Sequence, residues 1–236
     1  MNILAIDSSA KTASVALVKD GALLCESFLN NGLTHSQTLM PMIDGVLNSS
    51  DMKINDIDCF AVTNGPGSFT GVRIGVATVK GMALSKDCVG VSTLLSMAYN
   101  LVGCYEGLIC CAMDARRKQV YTALFESKNG KIVRLTDDMA ISLDELKEIV
   151  IKLKKIPIFV GDGAKICYNE FRSCGMECCI APEHLVNQRA SGAAFAYLGG
   201  CEECEKCSAA ELEVNYLRLS QAERELNERM NTADKA

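Results

Sequence analysis

The amino-acid sequence predicts an α/β fold built from two related halves. One short apolar strand ends in Asp7 and another ends in Asp114, and each aspartate is followed by a polar turn and a further apolar strand. A later apolar strand, residues 156–160, runs directly into Gly161-Asp162-Gly163-Ala164, which is typical of a turn from a strand into a helix. The repeated strand–Asp–turn–strand unit is the main reason to expect two halves.

The spacing within the two units supports a duplication. When Asp7 is aligned with Asp114, Ala16-Leu17 falls on Ala123-Leu124 at the same offset. Such units resemble the fold of actin, the sugar kinases and the heat-shock ATPases (ASKHA, ribonuclease H-like), in which two related half-domains with mixed sheets flanked by helices clamp a nucleotide. The resemblance implies a vestigial nucleotide cleft, for which the candidate residues are Asp7, Ser9, Asp114, Arg116, Gly161 and Gly163.

Both aspartate-containing turns lack the glycines expected for phosphate binding. In that fold the pattern is Asp-x-Gly-x-Thr or similar, where glycine lets backbone N–H groups reach phosphate oxygens. Here the turns read Asp7-Ser8-Ser9-Ala10 and Asp114-Ala115-Arg116-Arg117, so phosphate transfer is disfavoured. An anion site at Arg116 and Arg117 is an alternative to a solvated hairpin turn, because arginine suits bidentate contact with phosphate or carboxylate.

The first half begins with three strands and a helix. The predicted strands are residues 3–7, 13–19 and 23–29, the last two joined across Asp20-Gly21. Thr34 and Gln37 match a capping box that begins an amphipathic helix over residues 34–48. A strand at residues 89–91 and a helix over residues 93–101 close this half.

A glycine-rich junction lies in the middle of the first half. Residues 57–62 predict a strand, Asn64-Gly65-Pro66-Gly67 breaks it, and Ser68 caps a helix over residues 70–86. Such junctions can bind anions, but neither the phosphate-loop pattern nor the dinucleotide fingerprint fits this glycine spacing. Gly71 and Gly75 share one helical face, which indicates close approach by another element.

The second half is expected to be smaller. The predicted half-domains are residues 1–103 and 104–215, with residues 216–230 packing back on the first half and a frayed tail at 231–236. Further predicted strands are residues 108–113, 119–125, 156–160 and one near Ile132, and further helices are residues 142–154, boxed by Ser142 and Glu145, residues 190–198, and one starting at Ser220.

Composition is that of an ordinary globular chain. The 236 residues are 49% hydrophobic and 22% charged, with no basic leader and no apolar run of membrane-spanning length, so we expect a cytoplasmic protein without membrane contact. The net charge of −5 gives no general basic footprint for binding nucleic acid alone. The thirteen cysteines are odd in number and mostly in apolar runs, which favours reduced thiols.

Five segments together resemble one family: MNILAIDSS, THSQTLMPMI, TNGPGSFTGVRIG, DARRKQVY and NYLRLSQAERE. Through them the chain is similar, over nearly its whole length, to the TsaB family, also called YeaZ. The resemblance implies a subunit without activity or cofactor of its own. It implies that this subunit acts with a kin protein, TsaD, and an ATPase, TsaE, to install threonylcarbamoyl on adenosine in tRNAs that read codons starting with A, and that it meets tRNA only through the complex.

The resemblance also implies an interface. TsaB and TsaD associate through helices in a bundle of four, here the helices at residues 34–48 and 70–86. The candidate interface residues are Leu39, Met42, Ile43, Leu47, Gly71, Gly75 and Val79. An internal helix-on-sheet core is the alternative for the same residues, and a homodimer of the isolated chain through these helices remains open.

No catalytic or metal-binding residue is assigned. His35 and His184 are far apart and neither has a second histidine at i+3 to i+5, as a metal-binding helix would require. Cys201-x-x-Cys204-x-x-Cys207 has metal-like spacing without an evident fourth ligand, which favours an exposed loop. Gly67-Ser68-Phe69 lacks the serine-hydrolase elbow. The alternatives are an ASKHA phosphotransferase using Asp7 and, less favoured, a peptidase.

Overall fold

The computed structural model describes residues 1–218, whose strands and helices we number in chain order. The strands are β1 (Asn2–Asp7), β2 (Ala13–Lys19), β3 (Ala22–Leu29), β4 (Cys59–Gly65), β5 (Asp87–Ser92), β6 (Gly107–Asp114), β7 (Gln119–Lys128), β8 (Lys131–Arg134), β9 (Met139–Ser142), β10 (Pro157–Val160), β11 (Cys179–Ile180) and β12 (Lys206–Cys207). The helices are α1 (His35–Ser49), α2 (Phe69–Met82), α3 (Thr93–Tyr99), α4 (Leu143–Leu153), α5 (Ala164–Ser173) and α6 (Ala190–Leu198). The helix predicted from Ser220, the tail at 231–236 and residues 219–230 lie outside the described residues.

The strands form two mixed sheets with the same internal order. The first sheet runs β12-β5-β4-β1-β2-β3 and the second runs β11-β10-β6-β7-β8, with β9 also paired to β7. In the first, β1 is antiparallel to β2 and parallel to β4, which is parallel to β5. In the second, β6 is antiparallel to β7 and parallel to β10, which is parallel to β11. The predicted fold of two related halves with mixed sheets is therefore confirmed.

The helices occupy three layers around these sheets. Helices α1 and α2 cover one face of the first sheet and enclose a buried apolar cluster with it. Helix α3 contacts strands of both sheets, and α6 packs against α3 and the first sheet. A second apolar cluster continues from the first sheet through these two helices to the second sheet, α4 and α5. The two halves thus share a continuous core, and they meet at α3 and α6.

One ion pair reinforces this junction. The Glu26 carboxylate on β3 pairs with Arg189, which precedes α6, at 2.7 Å. It also accepts hydrogen bonds from the backbone N–H and hydroxyl of Ser191 in the first turn of α6. Negative charge at a helix N-terminus is favourable, and the Glu26 side chain is only 7% exposed, so this contact fixes α6 on the first sheet.

The chain returns to the first sheet earlier than predicted. Strand β12 pairs antiparallel with β5, so the segment from residue 206 already belongs to the first half rather than to the 104–215 unit. Helix α6, also predicted in that unit, packs mainly on the first sheet because its small side chains allow close approach. The boundary at residue 215 stays a prediction, and the pairing of β12 with β5 favours an earlier one.

The predicted N-terminal caps are confirmed at two of the three helices for which they can be checked. The Ser68 hydroxyl accepts from the Gly71 N–H at the start of α2, and Ser142 with Glu145 forms the predicted capping box at α4. Thr34 is the N-cap of α1, but its side chain makes no capping hydrogen bond, so the box with Gln37 was wrong. Its hydroxyl lies instead 3.3 Å from the Ser36 hydroxyl.

Two further predictions concern membranes and cysteines. Within residues 1–218, no helix combines the length and apolar character needed to cross a membrane. All thirteen cysteines are free thiols, and seven of them, including Cys110 and Cys111, are buried. Burial raises the pKa of the Cys110 thiol to about 12, so this thiol is protonated at neutral pH.

Candidate functional site

A cleft of about 560 Å³ opens between the two halves. The turn after β1 and the turn after β6 form two of its walls, and the N-terminus of α2 and Asp162, two residues before α5, form the others. Residues 215–218 run along its edge. The lining residues are Ser9, Ala10, Lys11, Pro66, Gly67, Ser68, Phe69, Thr70, Met113, Asp114, Ala115, Arg116, Tyr121, Asp162, Asn215, Tyr216, Leu217 and Arg218.

The cleft brings together only part of the predicted set. Ser9, Asp114 and Arg116 line it, as expected for residues at the ends of equivalent strands. Asp7, Gly161 and Gly163 lie behind the lining, where they pack against neighbouring backbone. A larger depression of about 1060 Å³ beside Arg134 contains none of the predicted cleft residues, and the Arg134 guanidinium is held there by Asp138 and Glu203 at 2.6 Å each.

The carboxyl group of Asp7 is enclosed by protein. The residue is 1% exposed, and its Oδ1 accepts hydrogen bonds from the Ser9 N–H at 2.9 Å and the Ser9 hydroxyl at 2.7 Å. Burial raises the pKa of Asp7 above its ordinary value, although the hydrogen bonds from Ser9 oppose that shift. Its Oδ2 and the Thr63 hydroxyl are both buried without a hydrogen-bond partner among residues 1–218. The phosphotransferase alternative needs Asp7 to reach a metal or water, which this enclosure disfavours.

The glycine-rich junction causes the enclosure. A Cβ at Gly71 would overlap the Ser8 carbonyl oxygen, and one at Gly67 would overlap the Ser9 carbonyl oxygen. The Ser68 N–H donates to the Ser9 carbonyl at 2.6 Å, and the Ser8 hydroxyl donates to the Gly71 carbonyl at 2.9 Å. The junction therefore clamps the first turn: the Ser68 N–H satisfies a carbonyl of the turn rather than a ligand, and the turn's Ser8 hydroxyl satisfies a carbonyl of the junction.

The same contacts reassign the predicted interface residues. At Gly75 an added Cβ would lie 2.5 Å from the Ser8 hydroxyl, so both glycines on this face serve close approach within the chain. The apolar members of the predicted interface are at most 7% exposed and belong to the cluster between the helices and the first sheet: Leu39, Met42, Ile43, Leu47 and Val79. The internal-core alternative accounts for these residues, and a partner can reach only the opposite faces of the two helices.

Those opposite faces contain unusual helix residues. Pro41 and Gly45 lie on the exposed side of α1, and Gly81 lies on the exposed side of α2. A Cβ added at Gly45 or at Gly81 would have no neighbour within 4 Å among the described residues. Neither glycine is therefore required by packing inside residues 1–218.

The second turn is open, in contrast to the first. Asp114 is exposed, and its Oδ1 accepts a hydrogen bond from the Arg116 N–H at 2.8 Å. Arg116, Arg117 and Lys118 are exposed as well. Across the cleft, desolvation raises the pKa of Asp162, although a hydrogen bond from Gln188 at 2.9 Å opposes the shift.

The histidine and cysteine candidates have structural surroundings. The His35 ring Nε2 lies 2.8 Å from the Ala10 carbonyl oxygen, which ties α1 to the first turn. Cys201 lies 3.1 Å from the Tyr99 hydroxyl, Cys204 is buried and Cys207 belongs to β12, so the predicted exposed loop is only partly exposed. In the part of the chain that the structure describes, no three His, Cys, Asp or Glu side chains are arranged to bind a metal ion.

Sequence reasoning missed the aromatic edge of the cleft. The Tyr216 ring stacks on Phe69 with centroids 4.9 Å apart, and its hydroxyl accepts from Arg73 Nε at 2.6 Å. The Arg218 guanidinium lies 5.6 Å from the Tyr121 ring. These contacts join positions far apart in sequence, so no local pattern could have found them.

Comparison with known proteins agrees with this architecture. The family model for TsaD, tRNA N6-adenosine threonylcarbamoyltransferase, matches residues 31–223. A solved Pseudomonas aeruginosa structure, described as an uncharacterized protein with similarity to peptidase YEAZ, has a TM-score of 0.76 at 24% identity and covers 92% of this chain and 99% of its own. A structure described as YeaZ from the same organism has a TM-score of 0.70 with the same identity and coverage. At this identity the two structures support the fold.

Sequence relatives support a closer assignment. The tRNA threonylcarbamoyladenosine biosynthesis protein TsaB of Bacillus subtilis is 35% identical over 226 residues, which is 94% of this chain and 96% of the relative. The protein of the same name from Escherichia coli is 38% identical over 141 residues, or 55% of this chain and 58% of the relative. The fold, the match over 94% of the chain and the shared segments lead to one conclusion: the chain belongs to the TsaB family of tRNA threonylcarbamoyladenosine biosynthesis proteins.

Proposed function

We propose that this chain is a non-catalytic scaffold and activating subunit that pairs with a TsaD-type protein. With that partner and TsaE, in the cytoplasm, it supports transfer of threonylcarbamoyl to adenosine of tRNAs that read codons starting with A. Membership of the TsaB family supports the pathway. The match of residues 31–223 to the TsaD model supports a partner of the same fold.

The main observation in support of pairing with a TsaD-type protein is the composition of the exposed face of α1 and α2. Glycine inside a helix costs about 1 kcal/mol relative to alanine, and proline costs about 3 kcal/mol. Gly45, Gly81 and Pro41 all lie on this face, and no contact within residues 1–218 requires the two glycines. A partner helix that approaches the backbone closely would account for keeping residues that weaken both helices.

Exposed apolar side chains extend the same face. Met40 on α1 is 47% exposed, and Leu84 just beyond α2 is 86% exposed. Methionine adapts its shape to a partner surface, and apolar area left open on a folded chain favours association. The isolated chain would present the same face to a second copy, so we expect any homodimer to compete with the TsaD-type partner.

The geometry of the first turn supports the absence of intrinsic activity. A phosphotransferase of this fold needs its first aspartate and the adjoining backbone N–H groups to face a phosphate. Here the Ser9 N–H is engaged by Asp7, and the carboxyl of Asp7 is buried. Residues that could process a nucleotide are therefore expected on the partner.

Reconstitution tests the proposed function. Purified TsaD, TsaE, tRNA and threonylcarbamoyl-adenylate are combined with and without this chain, and the modified nucleoside is measured by mass spectrometry. We expect product only when the chain is present. Equal yield without the chain would contradict the proposal.

A variant pair tests the interface. Gly45→Leu places a bulky side chain on the exposed face of α1, while leucine's higher helix propensity keeps the chain folded. We expect at least a tenfold loss of affinity for TsaD with an unchanged or higher Tm. Glu148→Leu adds the same side chain to an exposed position of α4 and serves as the matched control. Co-elution of the Gly45→Leu chain with TsaD at parent affinity would rule out this face.

A further inference from the structure

The turn after β6 has an unusual backbone. Arg116, Arg117 and Lys118 have φ values of 63°, 52° and 57°, so three consecutive residues other than glycine adopt the left-handed conformation. This conformation is unfavourable for L-residues, and arginine and lysine lack the short polar side chain that helps asparagine adopt it. Such conformations persist where the surrounding structure enforces them, and they concentrate at functional sites.

Neighbouring contacts fix the turn. The Ala115 N–H donates to the Gln119 carbonyl, and the Gln119 N–H donates to the Arg116 carbonyl, each at 3.0 Å. The Asp114 carboxylate accepts from the Arg116 N–H at 2.8 Å. Asp114 is thus a positioning residue that holds the backbone of the turn, and it leaves the three cationic side chains free to face solvent.

The turn concentrates positive charge on an acidic protein. The chain carries a net charge of −5, yet three adjacent exposed cations stand here, and none of them forms an ion pair within residues 1–218. Lys11 and Arg218 line the same cleft as Arg116. The carboxylates lining the same cleft are those of Asp114 and Asp162. The rim of the cleft is therefore locally cationic.

The geometry favours an extended anion over a small one. Successive side chains of a helical turn point about 100° apart, whichever its hand, so the three cations diverge. Diverging cations cannot converge on one phosphate, but they can contact separate phosphates of a polynucleotide. We propose that residues 116–118, extended by Lys11 and Arg218, bind the sugar-phosphate backbone of the tRNA when this chain is assembled with its TsaD-type partner. The inference rests on the proposed function, which brings tRNA to the complex.

The test replaces the three cations without changing the backbone. In the variant R116N/R117N/K118N, asparagine is neutral and adopts the left-handed conformation readily. Complexes of the full chain with TsaD are titrated with fluorescent tRNA at several salt concentrations. We expect at least a tenfold loss of affinity near 0.1 M salt. Each lost phosphate contact should also reduce the slope of log K against log salt by about 1.

Matched controls separate this site from bulk charge and from assembly. The variant K128N/K131N/K152N removes the same charge from exposed lysines elsewhere and should change the affinity less than twofold. Parent affinity and slope in the turn variant would overturn the proposal, and so would an equal loss in the lysine control. Loss of TsaD co-elution in the turn variant would assign the turn to assembly, and loss of ATP binding with unchanged tRNA binding would assign it to a small anion; both outcomes overturn the proposal.

The two proposals fail in different ways. If the parent chain does not co-elute with TsaD, the proposed function fails. The tRNA titration is then run on the full chain alone at low salt. A parent that binds no better than the turn variant overturns the inference as well, whereas a tenfold difference between them supports it independently of TsaD.

Discussion

The two halves share one strand order but use the aspartate at the end of their first strand in opposite ways. Asp7 is 1% exposed, and the glycine-rich junction before α2 lies directly on its turn. Asp114 is exposed, because Gly161 and Gly163 before α5 approach the backbone of Ala112 and Met113, inside the strand. In each half, the place where the glycine-containing junction contacts the first strand therefore decides whether the turn after that strand is clamped or free.

The turns also differ in length. Asp7 pairs with Ser14, seven positions later, whereas Asp114 pairs with Val120, six positions later. The shorter second turn closes through its three left-handed residues. The turn after β1 in the first half thus packs internally, while the turn after β6 in the second half is strained, cationic and exposed to solvent.

The largest expected effect tests the clamp in the first half. In Gly71→Ala the new methyl group would overlap the Ser8 carbonyl oxygen, so the junction must move off the turn. We expect the free energy of unfolding to fall by about 3 kcal/mol, as for an overpacked core position. Urea denaturation measures this change.

Gly45→Ala is the matched control on the neighbouring helix. Its methyl group has no neighbour within 4 Å among the described residues, so helix propensity should stabilise the chain by up to about 1 kcal/mol. If Gly71→Ala unfolds at the parent's urea concentration, the junction does not clamp the turn and the contrast between the halves has another cause.

A smaller effect should appear in the pH dependence of stability. Burial raises the folded-state pKa of Asp7, so the unfolded chain loses this proton first as pH rises. The parent should therefore lose stability from a pH near the unfolded value, about 3.9, up through the folded pKa. Asp7→Asn lacks this loss, so the variant's free energy of unfolding minus the parent's should increase over that window and then level off.

Asp144→Asn supplies a control of opposite sign. The hydrogen bond from Lys147 lowers the pKa of Asp144, so this carboxylate stabilises the fold above its unfolded pKa and stops doing so in acid. The variant's deficit should therefore appear at neutral pH and vanish at low pH. A flat difference for Asp7→Asn between pH 3 and pH 8 would mean that its carboxyl is solvated in the folded chain.

Local signals in the sequence predicted much of this fold. The apolar strands ending in Asp7 and Asp114, and the caps at Ser68 and Ser142, all depend on residues close in sequence. The predicted alignment of the two units was one residue off. Ala16 pairs with Ala5, two positions before Asp7, whereas the residue that pairs with Ala112, two positions before Asp114, is Thr122 rather than Ala123. Arginine and lysine do not favour the left-handed conformation, so the sequence does not predict the shorter turn after β6.

The functional surfaces were harder to predict. Apolar periodicity identified the inner face of α1 correctly as an apolar face, but it cannot say whether the neighbour is a sheet of the same chain or another protein. In the structure this face packs against the first sheet of the same chain. Gly45 and Gly81 lie on the outward faces of their helices, where helix propensity alone disfavours them. The cationic rim combines positions such as Lys11 and Arg218, which only the folded chain brings together.

The smallest expected effect concerns residues 213–218, which cover the clamped junction of the first half. The Asn215 N–H donates to the Asn64 carbonyl at 2.7 Å, and Tyr216 stacks on Phe69 and accepts from Arg73. Tyr216→Phe removes the last hydrogen bond but keeps the stacked ring, so we expect a loss of only about 0.5–1 kcal/mol in urea denaturation. Tyr216→Ala should cost more because it removes the stack as well. If both variants match the parent, the segment does not hold the junction, and the enclosure of Asp7 depends on the glycines alone.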